Sequence, residues 1–464
     1  MRIRPTKQQF EKQLKAVASV LRQEIMEGKH EAGSFLPSEK QLAQRFDMSN
    51  NSVRKALQML EEEGWIIKVP RVGNRVAEGR SPVHLTIASN KMAVRNIALE
   101  KLLQIFNERY PWIHVHINSN DGGLPGFGAG ESLVDVDLVL MDDYQFQRLV
   151  ELQLFNQLEA LSSMKDYYPF LHDLFTVDGQ MYMHPLIFSP VVLCYNRAHF
   201  REAGLLEPDG SWTWDYLMQC AERLSDSSKG RYGFCFHVQT ANRWPIFLLQ
   251  SGERFQWSDG MLNDIRGTKL MEAMKLCKRI IHNRKAFPLY LSENQGDIDR
   301  MFLAGKISMT LNSYMGLNAY SDSDLDYDIS PIPSNCERKT LMISLGLGIN
   351  KNSSHKHEVK LLAQFLTSEW TQQFISDHTL SIPALGTIAP QSHSSRVNKP
   401  KRFPLYREIM FTYETTRALN LTTASTHKLT NEMKAYWADM LDEEELGQRV
   451  VQILSYEGEA LQKI

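Results

Sequence analysis

Residues 36–65, LPSEKQLAQRFDMSNNSVRKALQMLEEEGW, hold two helix starts with a sharp break between them. Ser38 is placed to cap a first short helix, and Gln41 three residues later can complete a capping box. Asp47 interrupts the helical pattern, and Ser49 is placed to cap a second helix. The sequence therefore predicts two short helices joined by a tight turn.

The second of these helices is predicted to have two unlike faces. Its apolar residues fall on one side: Val53, Ala56, Leu57 and Leu60. The residues on the other side carry hydrogen-bond donors: Asn50, Asn51, Arg54, Lys55 and Gln58. Donors of this kind contact phosphates and base edges in the major groove of DNA. Two short helices of which the second presents such a face are typical of a helix-turn-helix.

A helix precedes this unit and a β-hairpin follows it. An apolar stripe indicates the preceding helix, which should end near Gly28: Phe10, Leu14, Val17, Leu21 and Ile25. After Gly64, the segment WIIKVPRVGNRVAE reads as two short strands with a turn around residues 72–74. This hairpin would form a wing with Arg71 and Arg75 at its tip, beside the duplex.

These motifs resemble the winged-helix domain of the GntR bacterial transcription regulators, whose pattern runs roughly LPSE-R-LA-x(4)-VS-R-TTVR-AL-x-x-L-x-x-EG. The likeness covers about residues 8–77 and implies an α+β winged helix-turn-helix domain over residues 1–77. Together with the polar face and the wing, it predicts the residues that contact DNA: Lys40, Ser49, Asn50, Asn51, Ser52, Arg54, Lys55, Arg71, Gly73 and Arg75. Departures from the family pattern at Lys40, Asn50 and Arg71 predict an operator that differs from the family's common one.

The charge of the chain is divided unevenly along its length. Residues 1–80 carry 15 Lys and Arg against 10 Asp and Glu, whereas the remainder carries 37 against 44. A basic front on an acidic body indicates that only the front meets a polyanion.

The length and the cysteines set further bounds. A chain of 464 residues exceeds what one hydrophobic core supports, so two or three folding units are expected. No stretch approaches the roughly 20 apolar residues that span a bilayer, and the charged amino terminus lacks the apolar core of a secretory signal. Five cysteines without a C-x-x-C pair suit free buried thiols in a reducing compartment. We therefore expect a cytoplasmic protein that contacts no membrane.

The remaining chain alternates strands and helices. A polar linker is predicted over residues 78–83, which leaves residues 84–464 as a second domain. VHLTIAS, NIALEKLLQIFNERY and IHVHINS read as strand, helix and strand, a parallel α/β unit. The alternation returns in VDLVLMD, PVVLCYN and ISMTLN, with helices at about 214–225, 267–283 and 356–376.

This body resembles the maltose-binding-like group of extracellular solute-binding proteins over about residues 84–390. The likeness is carried by GQMYMHPLIFSPVVLCYNRAHFREAGL, SWTWDYLMQCAERL, MFLAGKISMTLNSYMGL and LSIPAL, in that order. It implies a two-lobed α/β periplasmic-binding-protein-like (type 2) domain that holds a ligand in the cleft between its lobes and closes around it.

The resemblance also directs the choice of ligand-binding residues. Tyr314 falls where the group often has a sugar-stacking tryptophan, and Trp244 and Asp142 are the next candidates. Asn90 and Tyr182 are predicted neighbours in the cleft. Rings suit the C–H faces of sugars, and carboxylates and amides suit their hydroxyls. Each residue also has a plain structural interpretation, since aromatic residues are often core residues and a strand-end aspartate is often a helix cap.

The sequence offers no sign of catalytic or metal chemistry. The glycines at 126–130 do not form a dinucleotide fingerprint or a phosphate loop. His114 and His116 share a strand face without an obvious third ligand, and no G-x-S-x-G elbow is present. We expect no enzyme, no cofactor and no bound metal.

The sequence therefore predicts a homodimeric regulator in which a sugar or oligosaccharide effector modulates the binding of a double-stranded DNA operator. The alternative is the solute-binding receptor component of a carbohydrate ABC transporter, which would need a signal peptide or a lipidated cysteine near its start. A carbohydrate-active enzyme would need a carboxylate pair across the cleft.

Overall fold

The structure is a computed structural model that describes residues 7–26, 28–77, 82–119, 123–128, 132–162, 166–289, 292–388 and 397–455. The chain divides into two compact units, Met1–Val83 and His84–Ile464. Of the predicted linker, residues 78–81 lie outside the described residues and Val83 begins a strand.

The first unit is built on the two predicted caps. It contains α1 (Lys7–Met26), α2 (Glu39–Arg45), α3 (Asn50–Glu62), β1 (Ile66–Val69) and β2 (Gly73–Val76). The Ser38 side chain and Gln41 form the capping box of α2, and the Ser49 side chain caps α3 by accepting the Ser52 N–H at 3.1 Å. Asp47, with φ of 50°, turns the chain between these helices. The predicted break and both caps are therefore confirmed.

The core of this unit follows the predicted stripes. Its buried residues include those of the predicted faces of α1 and α3: Leu14, Val17, Leu21, Val53, Ala56, Leu57 and Leu60. Ile25 packs against this core while partly buried, and Phe10 lies outside the described side chains. The opposite face of α3 is consequently left exposed.

The wing turns earlier than predicted. β1 and β2 pair antiparallel with Val69 opposite Gly73, so residues 70–72 form the turn and Gly73 already belongs to a strand. Arg71 provides the reversal by adopting a left-handed conformation, with φ of 64°. Arg75 therefore does not lie at the tip. It is paired with Ile67 across the hairpin and bridges to Phe35.

The rest of the chain is an α/β assembly. Its strands are β3 (Val83–Ser89), β4 (Ile113–Ser119), β5 (Leu138–Asp142), β6 (Thr176–Val177), β7 (Gln180–Met181), β8 (Met183–Asn196), β9 (Tyr232–Cys235), β10 (Trp257–Ser258), β11 (Met261–Leu262), β12 (Ile307–Ser313), β13 (Tyr327–Ser330), β14 (Thr340–Ile349), β15 (Ile382–Pro383) and β16 (Tyr413–Glu414). Its helices are α4 (Lys91–Asn96), α5 (Leu99–Arg109), α6 (Asp143–Glu151), α7 (Arg197–Glu202), α8 (Trp214–Leu224), α9 (Pro245–Gln250), α10 (Lys269–Ile281), α11 (Gln295–Leu303), α12 (Lys356–Thr367), α13 (Glu369–His378), α14 (Leu405–Glu408), α15 (Thr423–Trp437) and α16 (Glu443–Leu454).

One long strand joins the two lobes. The main sheet has the order β4-β3-β5-β14-β8-β12-β9, with β3 parallel to β5 and β12 parallel to β9. The first half of β8 pairs with β14, and its second half pairs with β12 and β13. β3, β4 and β5 thus belong to a first lobe and β9, β12 and β13 to a second. β8, β14 and β16 lie where the lobes meet.

Two predicted helices differ from the structure. The helix expected over NIALEKLLQIFNERY begins three residues late, at Leu99, because Ala98 adopts a left-handed conformation before α5, and α4 is a separate short helix that precedes it. The helix expected at 356–376 is split at Ser368, whose side chain caps α13. The predicted strand PVVLCYN is only the second half of β8.

The carboxyl-terminal helices pack on the second lobe. The Trp244 indole N–H donates to Thr430 Oγ1 of α15 at 3.2 Å, and its ring meets Trp437 edge-on. Lys278 of α10 lies 4.0 Å from the centre of the Tyr436 ring. The α15–α16 pair is therefore packed against the second lobe, although the start of α15 also contacts α6.

Two further findings bear on the predictions. Four of the five free cysteines are buried as predicted, but Cys336 is exposed because it lies in a surface loop before β14. No described helix combines the length and the apolar composition that crossing a membrane requires.

Candidate functional site

The predicted DNA-contacting residues mostly lie on the surface of the first unit. Eight of them are exposed: Lys40, Ser49, Asn50, Asn51, Arg54, Lys55, Arg71 and Gly73. Arg75 is half-buried. Ser52 is only 8% exposed, because its side chain turns inward and its hydroxyl lies 2.8 Å from Ser49 Oγ within the cap of α3. Ser52 therefore supports the start of the helix and does not belong to its outer face.

Carboxylates hold three arginines of this unit. Arg54 of α3 donates from Nε and Nη2 to Glu39 of α2, at 3.2 and 2.7 Å. The hydrogen bonds from Arg54 hold the pKa of Glu39 below its usual value, so this carboxylate is charged at neutral pH. Arg45 of α2 pairs with Glu24 of α1. Arg22 of α1 pairs with Glu63 at the end of α3.

An interlobe pocket of about 190 Å³ lies at the carboxyl end of β5. Its described lining comes from the start of α6, the loop after β9, the start of β14 and the segment after β16: Asp142, Asp143, Tyr144, Thr240, Ala241, Asn242, Leu341, Met342, Ile343 and Thr416. Strand ends that face each other across a crevice are the usual place for a ligand in open α/β sheets.

Two neighbouring carboxyl groups form one wall of this pocket. Asp142 caps α6 by accepting the Gln145 N–H at 2.7 Å, and burial raises its pKa to about 6. Burial, and then the charge of Asp142, raise the pKa of Asp143 to about 7. Asp143 also accepts the Ser344 N–H of β14 at 2.7 Å. This wall is thus tied to β14, which lies where the lobes meet.

The same helix reaches the second lobe through a polar contact, which we call the α6 latch and define as Tyr144, Gln147, Glu151, Leu421 and Thr423. The Thr423 N–H donates to both carboxylate oxygens of Glu151, at 2.9 and 3.0 Å, and the Thr423 hydroxyl donates to Glu151 at 2.5 Å. Gln147 Nε2 donates to Leu421 O, and the Tyr144 hydroxyl donates to Thr423 O. Since Thr423 begins α15, Glu151 is a carboxylate at a helix amino terminus, a favourable placement.

The five predicted ligand residues are not brought together. Asp142 lines the interlobe pocket. Asn90 caps α4 by accepting the Ala93 N–H at 2.7 Å, and the half-buried Tyr182 packs its ring edge-on against Phe155. Contact of these residues with a ligand stays a prediction.

The two predicted rings lie in the core rather than on the surface of a cleft. Tyr314 is 0% exposed, because the segment around Phe403 and Tyr406 covers it. Its hydroxyl donates to Phe403 O at 2.8 Å and accepts the Tyr406 N–H at 3.0 Å. Trp244 is 1% exposed, and its indole N–H is used by Thr430. In this conformation neither ring has a free face for a sugar.

Sequence reasoning missed most of the pocket. Tyr144 follows the candidate Asp142 by two residues, and Thr240 to Asn242 follow the carboxyl end of β9. The position of this loop after a strand was a signal that could have indicated it. Thr416 and the start of β14 line the pocket because the folded chain brings them there, and no sequence pattern near them predicts this position.

A third histidine joins the two that share a strand face. The His84 ring of β3 stacks with His114 and His116 of β4, at centre distances of 5.2 and 6.0 Å. Within the ranges that the structure describes, no three His, Cys, Asp or Glu side chains are arranged to hold a metal ion. Part of the glycine-rich segment 126–130 lies outside the described residues.

Comparisons with known proteins give a family for each part of the chain. Residues 128–401 match the bacterial extracellular solute-binding proteins, and residues 13–76 match the gntR family of bacterial regulatory proteins. The HTH-type transcriptional regulator YieP of Escherichia coli (strain K12) is 39% identical over 60 residues, covering 13% of this chain and 26% of YieP. A lactose-binding protein of Rhizobium radiobacter is 27% identical over 194 residues, covering 40% of this chain and 44% of that protein.

The chain spans about half the length of the curated relatives it matches. Among solved structures, maltose-bound MalE3 of T. maritima is similar with a TM-score of 0.69 and 20% identity, covering 81% of this chain and 99% of that one. This likeness establishes the fold of the second unit as that of the two-lobed solute-binding proteins. Neither matching family is a family of enzymes. The chain belongs to the bacterial extracellular solute-binding protein family and carries a GntR-family helix-turn-helix domain in its amino-terminal part.

Proposed function

We propose that the protein is a ligand-responsive transcription regulator. Its winged helix binds operator DNA, and a sugar or oligosaccharide held between the lobes changes the affinity of that binding. We place it in the cytoplasm. We also propose that it is a homodimer, because one recognition helix reads only a few base pairs and paired half-sites are the usual solution.

The main support for DNA binding is the exposed face of α3. Its apolar side is fully used by the core, whereas Asn50, Asn51, Arg54 and Lys55 stand on the surface behind the Ser49 cap. A helix that follows a tight turn and exposes donors in this way suits a major groove.

The interlobe pocket supports a sugar as the effector. Its volume of about 190 Å³ is many times the ~10–15 Å³ that one water needs on the same measure, so the pocket has room for a molecule larger than water. Two carboxyl groups and the Asn242 amide supply partners for hydroxyl groups. Maltose is bound in the similar MalE3 structure, and a relative by sequence is named for lactose.

A receptor that delivers a carbohydrate to an ABC transporter is the second candidate, and the family of the second unit favours it. A receptor has no use for a helix that contacts DNA. Binding to a specific duplex therefore separates the two candidates.

The test is selection of duplexes from a random library by the full chain, followed by titration of the selected duplex. Arg54→Ala should weaken binding by about 1–3 kcal/mol if Arg54 contacts a base. Arg279→Ala is the matched control, since Arg279 is an exposed arginine paired with Asp215 in the second unit, and it should bind as the unchanged protein does. Failure to enrich any sequence would reject the regulator.

A second measurement addresses the effector. Thermal unfolding in maltose, lactose and a panel of other sugars should show a concentration-dependent rise of the Tm for a sugar that binds. That sugar should then shift the affinity for the selected duplex. A sugar that raises the Tm and leaves DNA affinity unchanged would support the receptor instead.

A further inference from the structure

The guanidinium of Arg54 is held from one side only. Its Nε and Nη2 donate to the two carboxylate oxygens of Glu39, a side-on pair that uses two of the five N–H donors. No other described residue bonds to Arg54. The remaining edge, made by Nη1 and the outer hydrogen of Nη2, therefore has no partner within the described chain.

This arrangement restrains a side chain that would otherwise be free. The side chain of Arg54 is 57% exposed and that of Glu39 is 28% exposed. A long exposed arginine has many rotamers, and ordering it costs conformational entropy. Because Glu39 is the first residue of α2 and Arg54 lies in α3, the pair fixes the guanidinium plane against both helices of the helix-turn-helix.

The free edge has the geometry of a base contact. Two parallel N–H groups of one arginine pair with O6 and N7 of guanine, which is the commonest specific contact in the major groove. The carboxylate beside the guanidinium repels phosphate oxygens. An arginine tied to it is thus better suited to an uncharged base edge than to the DNA backbone.

We infer that Glu39 is a positioning residue that makes Arg54 a reader of guanine rather than of phosphate. The inference rests on the proposed function, since it concerns how the proposed operator is recognised. It predicts a G·C base pair in the operator at the position that Arg54 contacts. It also assigns specificity to Glu39, whose negative charge by itself disfavours contact with DNA.

An ordinary surface ion pair would behave differently. Such pairs contribute little to stability, and a merely structural role in joining α2 to α3 would change the affinity for every duplex alike. A positioning role instead changes the ratio of the affinities for the selected and a scrambled duplex.

Two variants and one control test this difference in the full chain. Glu39→Gln removes the charge, and Glu39→Asp keeps a charge at the start of α2 but withdraws the carboxylate by one methylene. Glu24→Gln is the matched control, since Glu24 holds Arg45 in the same unit through the same kind of pair. Both Glu39 variants should lower the affinity ratio at least about fivefold, with binding to scrambled DNA unchanged or tighter. The control should keep the ratio.

Replacement of single guanines by 7-deazaguanine, which lacks the N7 acceptor, locates the contact. One such replacement in the selected duplex should weaken binding of the unchanged protein, and weaken binding of Glu39→Gln and Arg54→Ala much less. If the protein selects a duplex but the Glu39 variants keep the ratio within twofold, the inference fails and the regulator stands. If no duplex is selected, the proposed function itself fails.

Discussion

Replacing Glu151 by alanine should loosen the contact between the first lobe and the start of α15. Glu151 is the last residue of α6, and it accepts hydrogen bonds from the Thr423 N–H, the Thr423 hydroxyl and Gln147 Nε2. Alanine removes the acceptor of all three. It also removes a negative charge from the amino terminus of α15.

The magnitude follows from the number of bonds and their exposure. A hydrogen bond to a charged group contributes about 1.5–3 kcal/mol when it is buried. Glu151 is half-buried, so its removal opens this place to water, and Gln147 keeps Leu421 O as an acceptor. We therefore expect the free energy that holds the α6 latch together to fall by about 2–3 kcal/mol, which is less than the sum of the three hydrogen bonds. At 1.4 kcal/mol for each factor of ten, opening of the α6 latch becomes about 30–150 times more favourable.

Hydrogen exchange read by mass spectrometry measures this opening directly. Peptides that cover the first turn of α15 should exchange about 30–150 times faster in Glu151→Ala. Glu159→Ala is the control, because Glu159 is a carboxylate on the surface of the same lobe that pairs with Lys356 and Lys360. Exchange within twofold of the unchanged protein in Glu151→Ala would refute the reasoning.

Three other changes have expected outcomes that can be checked by denaturant titration. Because burial raises the Asp143 pKa to about 7 from 3.8, the folded protein keeps a proton that the unfolded chain releases between about pH 4 and 7, and stability falls as the pH rises through this window. Asp143→Asn should flatten that fall. Arg71→Gly should raise the unfolding free energy by up to about 1 kcal/mol, because glycine adopts a φ of 64° without the cost to arginine. Tyr314→Phe should lower it by about 1–3 kcal/mol, because the Tyr406 N–H loses its acceptor in the core; unchanged stability would return Tyr314 to the candidates for the cleft.

The first unit could be predicted almost completely because its signals are local. The Ser38 capping box and the Ser49 cap involve residues three apart, so the pattern and the structure coincide. The exceptions are also informative. Ser52 turns inward because its hydroxyl contacts Ser49 Oγ within the cap, and the wing turns at Arg71 because that residue adopts a conformation that usually needs glycine.

The interlobe pocket could be predicted only in part because distant segments form it. Asp142 is predicted from its place at the end of a strand, which is a local feature. Tyr314 is predicted from the resemblance, because it falls where the solute-binding group often has a sugar-stacking tryptophan, and Trp244 is the next aromatic candidate. A ring, however, suits a core as well as a sugar. Only the position of residues 400–413 in the fold decides that Tyr314 is covered, and no pattern near Tyr314 reports it.

The geometry of α6 restricts which ligands could act as effectors under the proposed function. The start of this helix lines the pocket, and its end accepts hydrogen bonds from α15, which packs against the second lobe. A ligand shifts an equilibrium only by binding one arrangement of the lobes more tightly than the other. A sugar that touches Asp142 alone would bind both arrangements equally and would not signal. An effector must also contact the opposite wall, at Thr240 or Asn242, so that its binding favours an arrangement in which the two walls face each other, as they do here.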